Sequence, residues 1–149
     1  MRERQATTHH QHRRRRDQDF EAFVAGTAGR LLHAATLLTT EPPGRAPRAG
    51  ALLTAALAAT YARWDRLRGE DPYDLTRREL AARFARAAWR FHRPCGGVLS
   101  RLTPLERLVV VLRLYEGVAE EQTAALLGLP ADRVRATCAR AVTVLRRAT

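Results

Sequence analysis

The sequence lacks lysine altogether: its 26 basic residues are all arginine, against 15 aspartate and glutamate residues. The formal charge of +11 favours a polyanionic partner, with nucleic acid the first candidate and an acidic membrane surface the second. Alanine is abundant beside the arginine, and both follow from GC-rich codon usage. The choice of arginine over lysine therefore carries no functional information, whereas the excess of positive charge still needs a reason.

Cysteine is scarce and long apolar runs are missing. The two cysteines, Cys95 and Cys138, are far apart and have no metal-ligand spacing, which excludes a disulfide scaffold and a zinc site and indicates reduced thiols. The N-terminus has no apolar stretch of the signal-peptide kind. The longest apolar-looking run, residues 50–62, is too short and too rich in threonine to span a bilayer. We therefore expect a cytoplasmic protein that does not bind membranes.

Strand-like alternation, internal repeats and glycine-rich phosphate loops are also missing, so the predicted fold class is all-α. No Ser–His–Asp, Cys–His or paired-carboxylate arrangement stands out among the polar residues. The five histidines lie mostly near the N-terminus. His33 and His92 stand alone on predicted helices, where histidine is more often packed or solvated than catalytic. We therefore predict a protein that is not an enzyme and that binds no cofactor or metal.

Hydrophobic periodicity begins only after a polar N-terminal segment. Residues 1–16 show no periodicity and end in four arginines, which predicts a disordered basic tail. Residues 17–92 form a first unit of three predicted helices, with the helical pattern starting at Phe20. Asp71 and Pro72 predict the start of the third helix, because aspartate accepts from free backbone N–H groups and proline suits the first helical position.

A second helical unit is predicted after a short linker. Residues 93–101 contain proline and glycine, which predicts a linker. Residues 102–149 form the predicted second unit. Thr103 and Glu106 form a capping box, in which each side chain accepts from the backbone N–H of the other residue. A short helix over 120–127 and a turn at Gly128 follow, and the last helix starts near residue 130.

The last helix has two chemically different sides. Its apolar side consists of Val134, Cys138, Ala141, Val142 and Leu145, which share one face. Its other side is predicted to carry Arg133, Arg135, Thr137 and Arg140. A helix in the DNA major groove needs this division, with one side packed on its own domain and the other offering long hydrogen-bond donors. The alternative is an arginine face that contacts only solvent, and the spacing alone does not decide between the two.

A family resemblance favours the DNA-binding interpretation. The run LTPLERLVVVLRLYEGVAEEQTAALLGLPADRVRATCARAVTVLRR resembles region 4 of extracytoplasmic-function RNA polymerase sigma factors, which reads the −35 promoter element. The segments FEAFVAGTAGRLLHAATLLT, LLTAALAATYARWDRL and DPYDLTRRELAARFARAAWR resemble region 2, which binds the polymerase clamp and melts the −10 element. Order, spacing and Trp64 make this resemblance more specific than the helix-turn-helix alone. It implies double-stranded DNA and core RNA polymerase as partners, and an anti-sigma or other regulatory protein as a third.

The resemblance assigns roles to residues of the last helix. Arg135 matches the family's basic position near the start of the recognition helix, and Arg140 matches a second basic position. Thr137 stands where the family often has arginine, so one donor of the pattern is missing. The predicted DNA-binding set is therefore Arg133, Arg135, Thr137 and Arg140.

The chain departs from the family in region 2 and in the linker. The family's second helix carries an acidic pair, Leu-Val and then Gln-Glu, whose polar groups suit a contact with the polymerase clamp. Leu52 and Leu53 keep the apolar positions of this degenerate helix and are its predicted polymerase-binding residues. Ala82 replaces an asparagine of the next helix. The lost polar positions are Gly50, Ala51, Thr54 and Ala55.

The predicted linker also differs from the family's longer one. Residues 93–101 reach at most roughly 30 Å when fully extended. Two modules held well apart on polymerase need a longer connection, so the short linker favours two units that pack together.

Three functional hypotheses follow. The first is a sigma-factor-like regulator that directs or modulates initiation through promoter DNA. The second is a degenerate relative that binds DNA or a regulatory partner without initiating transcription. The third is a protein-interaction module in which Arg133, Arg135 and Arg140 contact an acidic protein.

Overall fold

A computed structural model describes residues 1–148 of the protein, and this part of the chain contains six α-helices. Thr149, the last residue of the predicted second unit, lies outside the described residues. Within residues 1–148 there is no strand, which confirms the all-α class. The helices are α1 (Arg2–Thr39), α2 (Pro47–Ala62), α3 (Pro72–Arg86), α4 (Pro104–Val110), α5 (Glu120–Leu127) and α6 (Ala131–Arg147). Short 3₁₀ turns follow α2 (Trp64–Arg66) and α3 (Ala88–Phe91), and a π-helical turn (Val111–Tyr115) continues α4.

The helix starts follow the capping signals of the sequence. The Asp71 carboxylate accepts from the backbone N–H of Tyr73 at 3.0 Å, which caps α3 as predicted. At α4, the Thr103 hydroxyl accepts from the Glu106 N–H at 3.3 Å, and the Glu106 carboxylate accepts from the Thr103 N–H at 2.9 Å. Both halves of the predicted capping box are therefore present.

The N-terminal segment differs from its prediction. Residues 2–16 are helical and continue into the packed part of α1, whereas the polar composition of residues 1–16 predicted disorder. The segment lacks hydrophobic periodicity because the side chains of residues 1–15 are all exposed and need no apolar face. Helix extension from an existing packed helix adds one backbone hydrogen bond per residue and avoids the cost of nucleation. Arg16 pairs with Asp65 at 2.7 Å, where the extension leaves the body of the protein.

Although α1 is 38 residues long, its first half is strongly polar. Among residues 1–148, no helix is both long enough and apolar enough to cross a bilayer.

The first three helices pack against one another around a small apolar core. Members of this core come from α1, α2 and α3: Leu31, Ala35, Ala49, Leu53, Ala56 and Leu80. A buried hydrogen bond of 2.7 Å between the hydroxyls of Thr60 and Thr76 joins α2 to α3. The small side chains along the buried side of α2 allow the helices to approach closely.

Arg107 of α4 joins the second unit to the first. Its side chain is fully buried at 0% exposure. The guanidinium donates to the carbonyl of Leu38 at 2.7 Å, of Phe91 at 2.5 Å and of Leu102 at 3.1 Å. Burial lowers the pKa of the guanidinium below its ordinary value. Arginine suits this position because its planar fork carries five donors that can satisfy several carbonyls at once.

Glu116 forms a second connection between the units. Its side chain is 1% exposed and accepts from the Arg30 Nε at 3.0 Å. It also accepts from the Tyr73 hydroxyl at 2.6 Å, so one carboxylate connects the end of the α4 segment to α1 and α3. Burial, and then the hydrogen bond to Glu116, raises the pKa of the Tyr73 hydroxyl. The His33 and Tyr115 rings stack beside these residues at 5.2 Å, so His33 is not isolated.

The two units predicted from the sequence therefore pack together, as the short linker favours. One core cluster takes side chains from both, including Leu38 and Phe84 of the first unit and Leu108 and Leu112 of the second. The linker is itself attached to the first unit, because the Cys95 N–H donates to the Thr40 hydroxyl at 2.9 Å. The division into residues 17–92 and 102–149 stays a prediction.

We predict that Arg107→Met destabilises the protein by at least about 3 kcal/mol, because it leaves buried carbonyls of Leu38, Phe91 and Leu102 without their donors. Urea denaturation measures the change. Arg101→Met is the matched control, because Arg101 is exposed. Equal free energies of unfolding for the two variants would contradict the role given to Arg107.

Candidate nucleic-acid interface

The second unit ends in two helices joined by a tight turn. Helix α5 ends at Gly128, whose φ of 66° lies in the left-handed region that glycine adopts without strain. The Gly128 and Leu129 N–H groups both donate to the Ala124 carbonyl, which closes the turn. Val109 of α4, Ala124 of α5 and Val134 of α6 form a small core between the three helices. This core fixes the angle at which α6 leaves the domain.

Four of the five residues of the predicted apolar side of α6 pack on a core, whereas Val142 lines a groove beside the helix. Val134 and Ala141 are fully buried, Cys138 packs against the small core, and Leu145 packs against the large one. Helix α6 lies on α4 and α5. Its start carries Asp132, whose carboxylate accepts from the Arg133 N–H at 2.9 Å and complements the helix dipole.

Thr137 does not belong to the outward side, contrary to its prediction. Its side chain is 1% exposed and lies with Val134 and Ala141, three and four residues away on the helix. This spacing was available in the sequence, but the polar side chain of threonine favoured the outward side. Thr137 is therefore a core residue here, and Arg140 lies within 3.5 Å of its hydroxyl.

The three predicted arginines are exposed and lie along two edges of α6. At 3.6 residues per turn, Arg135 and Arg140 are about 140° apart around the helix axis, with Arg133 on the Arg140 edge. Between the edges the exposed side is formed by Asp132, Ala136, Ala139 and Thr143. The helix thus presents a narrow centre of short side chains, flanked by long cationic ones. This shape suits a groove whose two walls are rows of phosphates.

Arg135 has an internal partner at the start of α5. Its guanidinium forms a bidentate pair with Glu120, with Nε–Oε1 and Nη2–Oε2 distances of 3.0 and 2.9 Å. The hydrogen bonds from Arg135 lower the pKa of the Glu120 carboxyl and raise that of the guanidinium. Because the carboxyl pKa is lowered, the pair is intact at neutral pH and breaks only as the pH falls through that lowered value.

Two further arginines extend the Arg135 edge. A groove of about 440 Å³ beside α6 is lined by Arg113, Arg135 and Arg146, together with Glu120. Arg146 follows Arg135 by eleven residues, which places it about 20° away on the same edge, so helical spacing could have identified it. Arg113 comes from the helical turn after α4 and donates to the Val118 carbonyl. Only the packing of α4 against α6 brings it here.

The predicted polymerase-binding pair lies elsewhere, on α2. Leu53 is 6% exposed and belongs to the core, which contradicts its prediction as a contact residue. Because Leu53 follows Leu52 by one residue, its side chain lies about 100° further around the helix, where it packs with residues of α1 and α3. Leu52 is half-buried and packs against both core clusters.

The arrangement of α4, α5 and α6 is that of a helix-turn-helix unit. Residues 98–147 match the family model described as sigma-70, region 4. The chain is 31% identical to an RNA polymerase sigma-E factor of Streptomyces coelicolor over 153 aligned positions, covering 86% of this chain and 84% of the relative. The sigma-E factor of Streptomyces avermitilis is also 31% identical, with coverage of 86% and 83%. No solved structure matches the chain.

These relatives cover both units and not the helix-turn-helix alone. The chain therefore belongs to the extracytoplasmic-function group of RNA polymerase sigma factors. It is a sigma-factor-like regulator of transcription initiation.

We predict that Glu120→Gln strengthens binding to duplex DNA, because it removes the carboxylate that competes with phosphate for Arg135. The plot of log affinity against log salt should steepen by up to about 0.9, the value for one added phosphate contact. Fluorescence anisotropy over a salt series measures both quantities. Glu121→Gln is the matched control, since it removes the same charge from the neighbouring, exposed residue. Equal gains in the two variants would show that net charge alone is responsible.

Proposed function

We propose that α6 is the promoter-reading helix of this sigma factor and lies in the major groove of the −35 region. The arginine edges on either side of a short-chained centre support this proposal most directly. Short side chains at Ala136 and Ala139 let the helix axis approach the base pairs. The edges then contact the phosphates, or reach guanine where the groove allows a bidentate contact.

The two edges have different roles in this proposal. Arg133 and Arg140 are ready for phosphate or base contacts on one edge. On the other edge, Arg135 exchanges its pairing with Glu120 for a DNA contact. This exchange lowers the net contribution of Arg135 to the DNA-binding affinity, because the Glu120 carboxylate loses its partner when DNA binds. We further propose that the protein acts by binding alone, without catalysis, and in the cytoplasm.

We expect Arg135→Ala and Arg140→Ala each to weaken duplex binding and to flatten the salt dependence by about 0.9 in the log–log slope. A variant that also loses a bidentate guanine contact should lose about 1–3 kcal/mol of discrimination at that base pair. Anisotropy with the −35 region of the protein's own upstream sequence, and with point-substituted versions, separates the two effects.

Two controls make this experiment decisive. Arg45→Ala removes the same charge from an exposed loop residue far along the chain from α6, so it should change binding much less. Thr137→Val should leave the affinity within about twofold, because a buried hydroxyl makes no DNA contact. Equal losses for Arg45, Arg135 and Arg140 would mean that net charge, and not a docked helix, produces the binding.

Core RNA polymerase is the second proposed partner, with a weaker attachment than is usual in the family. Two observations favour this degenerate candidate. The positions that the family resemblance fills with polar groups hold Gly50, Ala51, Thr54 and Ala55. The two units are also tied together through the buried Arg107 and Glu116, whereas the family's working arrangement holds the corresponding units apart.

We expect this protein to bind core polymerase more weakly than ordinary family members and to initiate poorly on its own. The combined change Gly50→Glu, Ala51→Asp, Thr54→Gln and Ala55→Glu should strengthen binding, since a few interface anchors at about 2 kcal/mol each dominate an affinity. The new Cβ at Gly50 meets no atom within 4 Å, so the substitution fits the packed helix. A core-polymerase pull-down and run-off transcription from the protein's own upstream region are the measurements. Robust initiation by the unmodified chain would exclude the degenerate candidate.

A further inference from the structure

A second cationic surface lies on the first unit, away from α6. It is a groove of about 250 Å³ between α2 and the end of the α3 segment, called here the α2–α3 groove. Its floor is apolar, formed by Leu52 and by Phe91, which is 4% exposed. Its rim carries Arg48, Arg83 and Arg90.

The rim arginines are held in place mainly by neutral groups. Arg48 donates to the Arg90 carbonyl at 2.6 Å, and its guanidinium carbon lies 4.0 Å from the centre of the Phe91 ring. Arg83 approaches the Glu79 carboxylate only to 3.6 Å, and its buried Nε has no hydrogen-bond partner among residues 1–148. Three arginines thus stand beside two carboxylates, Glu79, which pairs with Arg83, and Glu41, which accepts from the backbone N–H of Arg48 at 3.1 Å. The excess of arginine along the rim is what favours an anionic group from outside.

The exposed side of α2 beside the groove consists of short side chains and carries no negative charge. Helix α2 has no aspartate or glutamate, and Ala51, Thr54 and Ala58 are its exposed residues nearest the groove. Such short side chains let another helix approach closely. The family resemblance implies an acidic pair and Gln-Glu at residues 50, 51, 54 and 55. The charge of this surface is therefore reversed from the family's pattern: the carboxylates are gone and arginines line the edge.

We propose that the α2–α3 groove binds an acidic amphipathic helix of a partner protein. Apolar side chains of that helix pack on Leu52 and on the neighbouring alanines Ala51, Ala55 and Ala87. Its aspartate or glutamate side chains pair with Arg83 and Arg90. This surface is separate from the promoter-reading helix and goes beyond DNA binding.

The shape of the groove favours protein over nucleic acid as the occupant. Single-stranded nucleic acid binds by stacking its bases on exposed aromatic faces. Here the aromatic ring of the floor is buried, and Arg48 already covers it. The exposed Trp89 lies outside the groove, beside Arg90. An apolar floor with a charged rim is instead the arrangement that receives an amphipathic helix.

The test uses a synthetic helical peptide with leucine on one face and glutamate along both edges of that face. Its binding to the full-length protein is measured by anisotropy, beside a peptide in which lysine replaces glutamate. We expect only the acidic peptide to bind. The double change Arg83→Gln with Arg90→Gln should weaken the affinity for this peptide by at least about tenfold. The double change Arg66→Gln with Arg101→Gln removes the same charge from exposed residues outside the groove. It should weaken the affinity for the acidic peptide by less than about threefold.

A single substitution provides an independent test should the double change disturb folding. Ala51→Asp places a carboxylate at the groove without removing an arginine. It should also weaken the affinity for the acidic peptide by at least about tenfold. Circular dichroism verifies the fold of each variant. Binding of promoter DNA should stay unchanged in Ala51→Asp, so a failure of this proposal is distinguishable from a failure of the promoter-reading helix.

Three results would overturn the proposal. One is a lack of binding by the acidic peptide. Another is an equal loss in the two arginine pairs, which would reveal attraction to net charge alone. The third is a single-stranded oligonucleotide that displaces the peptide and depends on Arg83 and Arg90 in the same way, which would make the groove a nucleic-acid site.

Discussion

The position of the second unit depends on one buried arginine. Arg107 places a guanidinium where water cannot reach it, and such burial is tolerated only when the donors find acceptors. The acceptors come from the end of α1, from the turn after α3 and from the loop before α4. Each of these carbonyls would otherwise be buried without a donor. The arginine and the three chain segments therefore stabilise one another, and none can move independently.

The position of α4 in turn orients α6, the helix that is proposed to read the promoter. Helix α6 packs on α4 and α5, and its arginine edges lie on the exposed side. The compact arrangement is therefore compatible with an accessible α6. The same compactness is harder to reconcile with two units that bind separate places on polymerase. Separation would break the contacts of Arg107 and Glu116 at once, and it would expose apolar residues such as Leu38 and Leu108.

Local chemistry was predictable from the sequence, and tertiary contacts were not. Asp71 and the Thr103–Glu106 capping box act within a few residues of themselves, so their patterns could be recognised directly. Arg107 follows the capping box on a short helix, where arginine normally faces solvent, and only the docking of the first unit buries it. Thr137 was misassigned for a different reason: its spacing of three and four residues from Val134 and Ala141 places it on the apolar face, but its polar side chain favoured the outward one.

The charge distribution separates two kinds of cationic surface. Most of the carboxylates of the first unit pair with nearby arginines or hydroxyls, including Asp65 with Arg16 and Asp74 with Arg77. Besides the N-terminal part of α1, arginines outnumber carboxylates at α6 and at the α2–α3 groove. Charge alone would attract any polyanion to both surfaces.

The groups between the cations distinguish the two surfaces. On α6 the side chains between the arginine edges are short: Asp132 at the start of the helix, and then Ala136, Ala139 and Thr143. In the proposed complex they leave room for the edges of base pairs between two rows of phosphates. In the α2–α3 groove the centre is an apolar recess lined by Leu52 and by Ala51, Ala55 and Ala87. Stacked bases leave no alkyl side chain to fill such a recess, whereas a partner helix does. The surroundings of each arginine, more than the total of +11, therefore determine what it can recognise.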